Sequence, residues 1–198
     1  PSPTMAPEAV KEAATILWRH WSDTTRIDAL PAPCRPANRA DGYAIQTALA
    51  RVAGQRTFGW KIAATSVAGQ KHIAVDGPLA GRLLAERIVP VGQPIALGDN
   101  LMRVAEAEFA FRMRTPLPAR DRPYTVDEVL AAVDTLHPAI EIPDSRYCDF
   151  TVVGAPLLML GMLGAASRPP PRRLRGVPGW AAWSSGTPPA SAGWRRWV

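Results

Sequence analysis

The chain of 198 residues carries 23 Lys and Arg against 17 Asp and Glu, is 47% hydrophobic, and contains 21 Pro, 15 Gly and 2 Cys. That length suffices for one domain with a sizeable core, and two cysteines, Cys34 and Cys148, exclude a disulfide scaffold and a cysteine-based zinc site and point to a reducing, cytoplasmic compartment. No apolar run reaches the ~18 residues of a membrane span, no signal peptide is visible, and the net charge of +6 sits wholly in the last 43 residues, so neither a membrane nor a nucleic acid is an expected partner.

From Pro7 to Trp21 the pattern is helical. Pro7 suits a first turn, Glu8 suits the positive end of the helix, and Val10, Ala14, Leu17, Trp18 and Trp21 fall near one face. Pro31, Pro33 and Pro36 break the chain into a loop. A second helix is predicted from about Arg39 to Val52, with Tyr43, Ile45, Ala48, Leu49 and Val52 on its apolar side and Gly54 to end it. Thr57 to Ala63 reads as a strand, and Gly81 to Val89 contains another. Asp76-Gly77-Pro78 and Gly98-Asp99-Asn100 read as turns. Leu101 to Arg114 alternates strongly from Val104 through Phe111, which predicts a strand. Thr125-Val126-Asp127-Glu128 is a capping box, predicted to open a helix that runs to about Leu136. Pro138 to Ile142 reads as a short strand. The fold class is therefore α+β, helical first and mixed afterwards.

The last 43 residues, 156–198, follow no such pattern. They hold seven Pro, six Gly, six Arg and four of the chain's seven Trp, with no Lys and no acid. A disordered basic tail is one reading, although disorder is usually poor in Trp. An RNA- or membrane-binding arm is another, because Trp194-Arg195-Arg196-Trp197 can stack and neutralise phosphates. The composition favours a third, a GC-rich gene read out of frame, and an irregular tail is the structural expectation.

Three glutamates and a lysine carry candidate chemistry. Glu106 and Glu108 are one residue apart on a predicted strand, so their side chains share a face. Glu141 lies between Ile140 and Ile142 on another. Acids inside apolar β segments are costly unless paired or metal-bound, and a hard divalent ion accepts carboxylate oxygens well. A solvated strand face is the plainer alternative for Glu106 and Glu108. Lys61, between Trp60 and Ile62, is either a proton donor or anion anchor, or an edge-strand charge. His20, His72 and His137 lack ligand spacing and read as structural or surface residues, with His72 in a loop. Ser66 has no Gly-x-Ser-x-Gly frame, which argues against a serine hydrolase.

Five ordered segments are similar to the 2-keto-4-pentenoate hydratase family of the fumarylacetoacetate hydrolase superfamily. They are Gly42-Tyr43-Ala44-Ile45-Gln46, Gly59-Trp60-Lys61-Ile62-Ala63-Ala64-Thr65-Ser66, Val75 through Leu83, Glu106-Ala107-Glu108-Phe109-Ala110-Phe111, and His137 through Arg146. The resemblance covers residues from about 10 to 155 and stops where the charge balance breaks. It implies a helical N-terminal part over 1–55, an incomplete mixed β-roll over 56–155, and a tail over 156–198 in a non-native reading frame. It also implies that Glu106, Glu108 and Glu141 hold Mg²⁺ or Mn²⁺ and that Lys61 is catalytic. The substrate class would be a small 2-oxo or 2-hydroxydienoic acid such as 2-hydroxypenta-2,4-dienoate, from aromatic catabolism, and the intact family would be a homo-oligomer.

Many hydratases carry an Asp just after the proline of the turn segment, where this chain has Leu79. Asp76, three residues upstream of Leu79, is then the candidate substrate-binding acid. The resemblance leaves open 4-oxalocrotonate decarboxylase-like and fumarylacetoacetate hydrolase-like chemistry. It also leaves open an inactive fragment or a basic-tail binding protein. The expected activity of the chain as it stands is impaired.

Overall fold

The computed structural model describes residues 3–149 and the backbone of residues 165–168 and 172–173. Its first layer is a helical pair. Helix α1 (Pro7–Ser22) buries Val10, Ala13, Ala14, Leu17 and Trp21 along one face, the stripe expected of a 3.6-residue period. Helix α2 (Arg39–Val52) buries Ile45 and Leu49 against that stripe, and Gly54, at φ 64°, reverses the chain just beyond it. Asn38 caps α2 by accepting the Asp41 N–H. The fully buried Asp41 carboxylate accepts from Thr4 N at 2.6 Å, Thr4 Oγ1 at 2.9 Å, Met5 N at 3.1 Å and Ala37 N at 3.1 Å. Those bonds tie the segment before α1 to the first turn of α2. They also hold the Asp41 pKa below the usual carboxylate range, against the opposing effect of burial.

The core extends from the helices into the β region. Leu30, Cys34, Leu84 and Tyr147 complete the buried cluster around the α1–α2 contact. Tyr147 is held there by a parallel bridge to Ile27, with Ile27 N donating to Arg146 O and Cys148 N donating to Ile27 O.

Strands β1 (Thr57–Ala63) and β2 (Leu79–Leu84) form an antiparallel pair in which Lys61 lies opposite Gly81. Helix α3 (Val67–His72) connects them, capped by Ser66, whose hydroxyl accepts the Gly69 N–H. This helix corrects the expectation of a loop at His72: six residues are too few to establish a helical period in the sequence. The pair is fastened to α2 at Ala80, whose N–H donates to Tyr43 Oη and whose carbonyl accepts from Gln46 Nε2.

The second sheet, among the described residues, has the order β3–β6–β5–β4, with β7 also paired to β5. Its members are β3 (Ile88–Pro90), β4 (Glu106–Met113), β5 (Val133–Ile142), β6 (Ala165–Arg168) and β7 (Arg172–Arg173). Strands β4 and β5 run antiparallel through an eight-rung register, with Glu106 opposite Glu141 and Phe111 opposite Leu136. Helix α4 (Val126–Ala132) carries the expected capping box but ends four residues early, and β5 begins at Val133 rather than Pro138. The reason is tertiary. Val133, Thr135 and His137 alternate into the interior as β5 pairs with β4, and β-branched Val and Thr favour that pleat over a further helical turn.

The expectation of an irregular tail is corrected at two places. Ala165–Arg168 pairs with both β3 and β5, and Arg172–Arg173 pairs with β5. The rest of the 156–198 tail lies outside the described residues. No helix among the described residues is long and apolar enough to cross a membrane.

Candidate metal centre

The β4–β5 ladder assembles the acids. Period-two alternation puts Glu106 and Glu108 on one face of β4, with Ala107 and Phe109 on the other. The antiparallel register sets Glu141 directly across from Glu106. One oxygen from each of the three carboxylates lies within 4.8 Å of the others.

The cluster has depth. The Glu141 side chain is 8% exposed and forms the floor, whereas Glu106 and Glu108, at 34% and 37%, form the rim. Burial pushes the Glu141 carboxyl above the usual range; Lys61 opposes this, and the charges of Glu106 and Glu108 add to it. At 4.8 Å two carboxylates repel by about 3 kcal/mol at an effective dielectric of ~20, so three of them require a cation.

Lys61 supplies one from the other sheet. On β1 its side chain points inward, while Phe58, Trp60 and Ile62 point outward. Its ammonium forms close ion pairs with Glu108 Oε1 and Glu141 Oε2 and lies 3.4 Å from Glu106 Oε2. Burial alone would lower its pKa, but Glu141 and Glu108 outweigh that and hold it above the ordinary lysine value. One ammonium against three carboxylates leaves the group two charges negative when all are ionised. Glu141 Oε2, buried on the floor of the site, takes the Lys61 ammonium as its partner. An all-carboxylate donor set with excess negative charge fits a hard divalent ion such as Mg²⁺, Mn²⁺ or Ca²⁺, and offers none of the soft ligands that favour zinc or copper.

The structure thus brings together Lys61, Glu106, Glu108 and Glu141. It does not bring Asp76 to them. The Asp76 carboxylate pairs with Arg39 and its side chain is 90% exposed. Leu79 is buried, and it shares the inner face of the β1–β2 pair with Lys61 because it lies opposite Ala63, two residues along from the lysine. The histidines stay outside the cluster: His20 Nδ1 bonds Thr25 Oγ1, His72 ends α3, and buried His137 bonds Thr135 Oγ1 through Nε2.

Residues that position the cluster were not singled out in the sequence. Asn100 Nδ2 donates to Pro143 O at 2.9 Å, and Asp144 Oδ1 accepts from Leu101 N at 2.9 Å. These bonds join the approach to β4 with the exit of β5 and so brace Glu106 against Glu141. Arg26 and Arg146 in turn hold Asp144, at 3.2 and 2.5 Å. The Pro143-Asp144-Ser145-Arg146 segment was visible as a motif, but its partners lie 43 to 118 residues away, which spacing does not reveal.

No family model matches the chain. It is 36% identical over 151 residues to a TodF product hydratase of Pseudomonas putida, covering 73% of this chain and 54% of that protein. It is 34% identical over 145 residues to 2-keto-4-pentenoate hydratase 2 of Dechloromonas aromatica, covering 72% and 53%. The chain therefore spans about half the length of the curated relatives it matches. Among solved structures, 4-oxalocrotonate decarboxylase from Pseudomonas putida G7, complexed with magnesium and adipate, superposes with a TM-score of 0.74 at 21% identity. That match covers 89% of this chain and 68% of the other, and it shows a shared fold.

Proposed function

This chain is a relative of the 2-keto-4-pentenoate hydratases, and from that kinship and its carboxylate cluster we propose a metal-dependent hydro-lyase acting on a small 2-oxo or 2-hydroxydienoic acid. The observation that carries the reading is the convergence of Glu106, Glu108 and Glu141, opposite Lys61, on the inner face of β4–β5. In this reading residues 1–55 are a helical support and residues 56–155 a partial β-roll of the fumarylacetoacetate hydrolase type.

The three glutamates hold Mg²⁺ or Mn²⁺. A divalent ion there supplies Lewis acidity toward the carboxylate and 2-oxo oxygens of the substrate. Lys61 contributes a mobile ammonium that holds the substrate's carboxylate or carries a proton at Nζ. Leu79 adds an apolar wall on the lysine's side, which excludes water from part of the site.

Leu79 also favours a second reading. Where many hydratases carry an acid, this chain has the apolar Leu79, so water addition lacks that acid. Decarboxylation of a related 2-oxo diacid, as in 4-oxalocrotonate decarboxylases, shares the polarised 2-oxo group but needs no added water.

The experiment is turnover of 2-hydroxypenta-2,4-dienoate and, in parallel, of a 4-oxalocrotonate-type diacid, each with Mg²⁺ and with chelator. Mg²⁺-dependent loss of the dienoate is expected, slower than the ordinary enzyme range of roughly 1–10³ per second because the roll is partial, and lowered further by Glu106→Gln. Turnover of the diacid alone moves the assignment to decarboxylase. Turnover unaffected by chelator or by Glu106→Gln would overturn the metal-dependent reading.

A further inference from the structure

Resting on the metal-centre reading above, we infer that Lys61 and a divalent cation compete for the same carboxylates: the lysine ammonium is the metal-free protein's own counter-ion, and a metal enters by displacing it. Nζ contacts Glu108 Oε1 and Glu141 Oε2 directly and stands 3.4 Å from Glu106 Oε2. It therefore occupies the point that faces one oxygen from each acid, the same three residues whose oxygens lie within 4.8 Å of one another. A metal bound about 2.1 Å from such oxygens and an ammonium about 2.8 Å from them cannot share that point.

Three features make exchange feasible. One ammonium is shared among three carboxylates, so the site is neutralised incompletely. Lys61 reaches in from the β1–β2 pair, so its withdrawal breaks no rung of the β4–β5 ladder that holds the acids. Its side chain retains 19% exposure and has a flexible four-carbon stem, which gives it a way out toward solvent. The charges agree. Triad and lysine together sum to minus two, and a dication brings the sum to zero while repelling the ammonium from its former place.

Mn²⁺ titration of the wild-type chain, Lys61→Met and Lys61→Arg, read by calorimetry or by the electron-paramagnetic signal of free Mn²⁺, gives the first test. Lys61→Met is expected to bind Mn²⁺ about tenfold more tightly than wild type, and Lys61→Arg to stay near wild type. Equal or weaker binding by Lys61→Met would overturn the competition while leaving the metal centre standing. No Mn²⁺ bound by any of the three proteins would overturn both.

Removing a positive charge also raises metal affinity without any displacement, so a second measurement reads displacement itself and needs no variant. The chain has three lysines, and Lys11 and Lys71 are both exposed. Amine acylation of the wild-type protein, mapped by peptide mass spectrometry, should label Lys61 several-fold faster when Mn²⁺ is added, with Lys11 and Lys71 unchanged. Labelling of Lys61 that is unchanged or slowed by Mn²⁺ would overturn the inference.

Discussion

Tyr147 shows how one buried atom makes a testable case at the scale of a residue. Its ring lies fully inside the α1–α2 core, and its hydroxyl has no hydrogen-bond partner among the described residues. Burial pushes its pKa well above that of an ordinary tyrosine. An unpaired buried hydroxyl is destabilising, so Tyr147→Phe should keep the packing and raise stability by about 1 kcal/mol in a urea unfolding titration. A loss of stability would mean that the hydroxyl has a partner such as a buried water. At this same scale much of the site was legible. Two acids one residue apart on an alternating strand must share a face, and an acid between two isoleucines demands a partner. What the sequence could not supply was the register that places Glu141 opposite Glu106, or the pairing of Asp76 with Arg39. Both depend on contacts more than 30 residues apart.

At the scale of elements, α4 carries a pH dependence of known sign. Its capping box is complete, and Glu128 also pairs with Arg120 and Arg122. The Arg120 hydrogen bonds, then the Thr125 N–H, hold the Glu128 carboxyl down at about 2. A carboxyl with a depressed folded pKa stabilises the fold above its unfolded value near 4.3, and that contribution is lost as pH falls toward 2. Protection of the α4 amides, measured against the intrinsic exchange rate at each pH, should therefore fall between about pH 4.5 and pH 2.5, and Glu128→Gln, which keeps the cap but not the ion pairs, should flatten that fall. A profile identical in the variant would contradict the assignment. Thr125→Ala, which removes the cap, should destabilise the protein by about 1 kcal/mol. The cap was readable because it is local, and the boundaries of α2 and β1 were readable for the same reason. The C-terminal limit of α4 was not, because the pairing of Val133–Leu136 with β4 overrides a helical continuation. Ala165–Arg168 likewise becomes a strand through its neighbours β3 and β5, not through any period of its own.

Across the whole molecule, the apolar residues are divided unevenly between inside and outside. Phe109 is 62% exposed, and with Phe111 and Ile140 it forms an apolar outer face on β4–β5, opposite the face that bears the glutamates. Phe58, Trp60 and Ile62 form a second on β1, where Arg82 stacks over Trp60 at 4.4 Å. Apolar faces of this kind are contact surfaces or aggregation liabilities. Sedimentation velocity should therefore show concentration-dependent association, and Phe109→Lys with Phe111→Lys should reduce it without removing Mn²⁺ binding. Association unchanged in the double variant would place the contact elsewhere. The opposition of faces also locates the chemistry, since the surface turned toward β1 and the helices is the one that collects charge.

That collection of charge is the central claim, and anomalous diffraction from crystals grown with Mn²⁺ tests it most directly. The account predicts one strong peak between β4, β5 and β1, at about 2.1–2.3 Å from oxygens of Glu106, Glu108 and Glu141, with Lys61 Nζ withdrawn from the triad. A peak bound to other residues, or none at saturating Mn²⁺ with the lysine still among the three carboxylates, would contradict it.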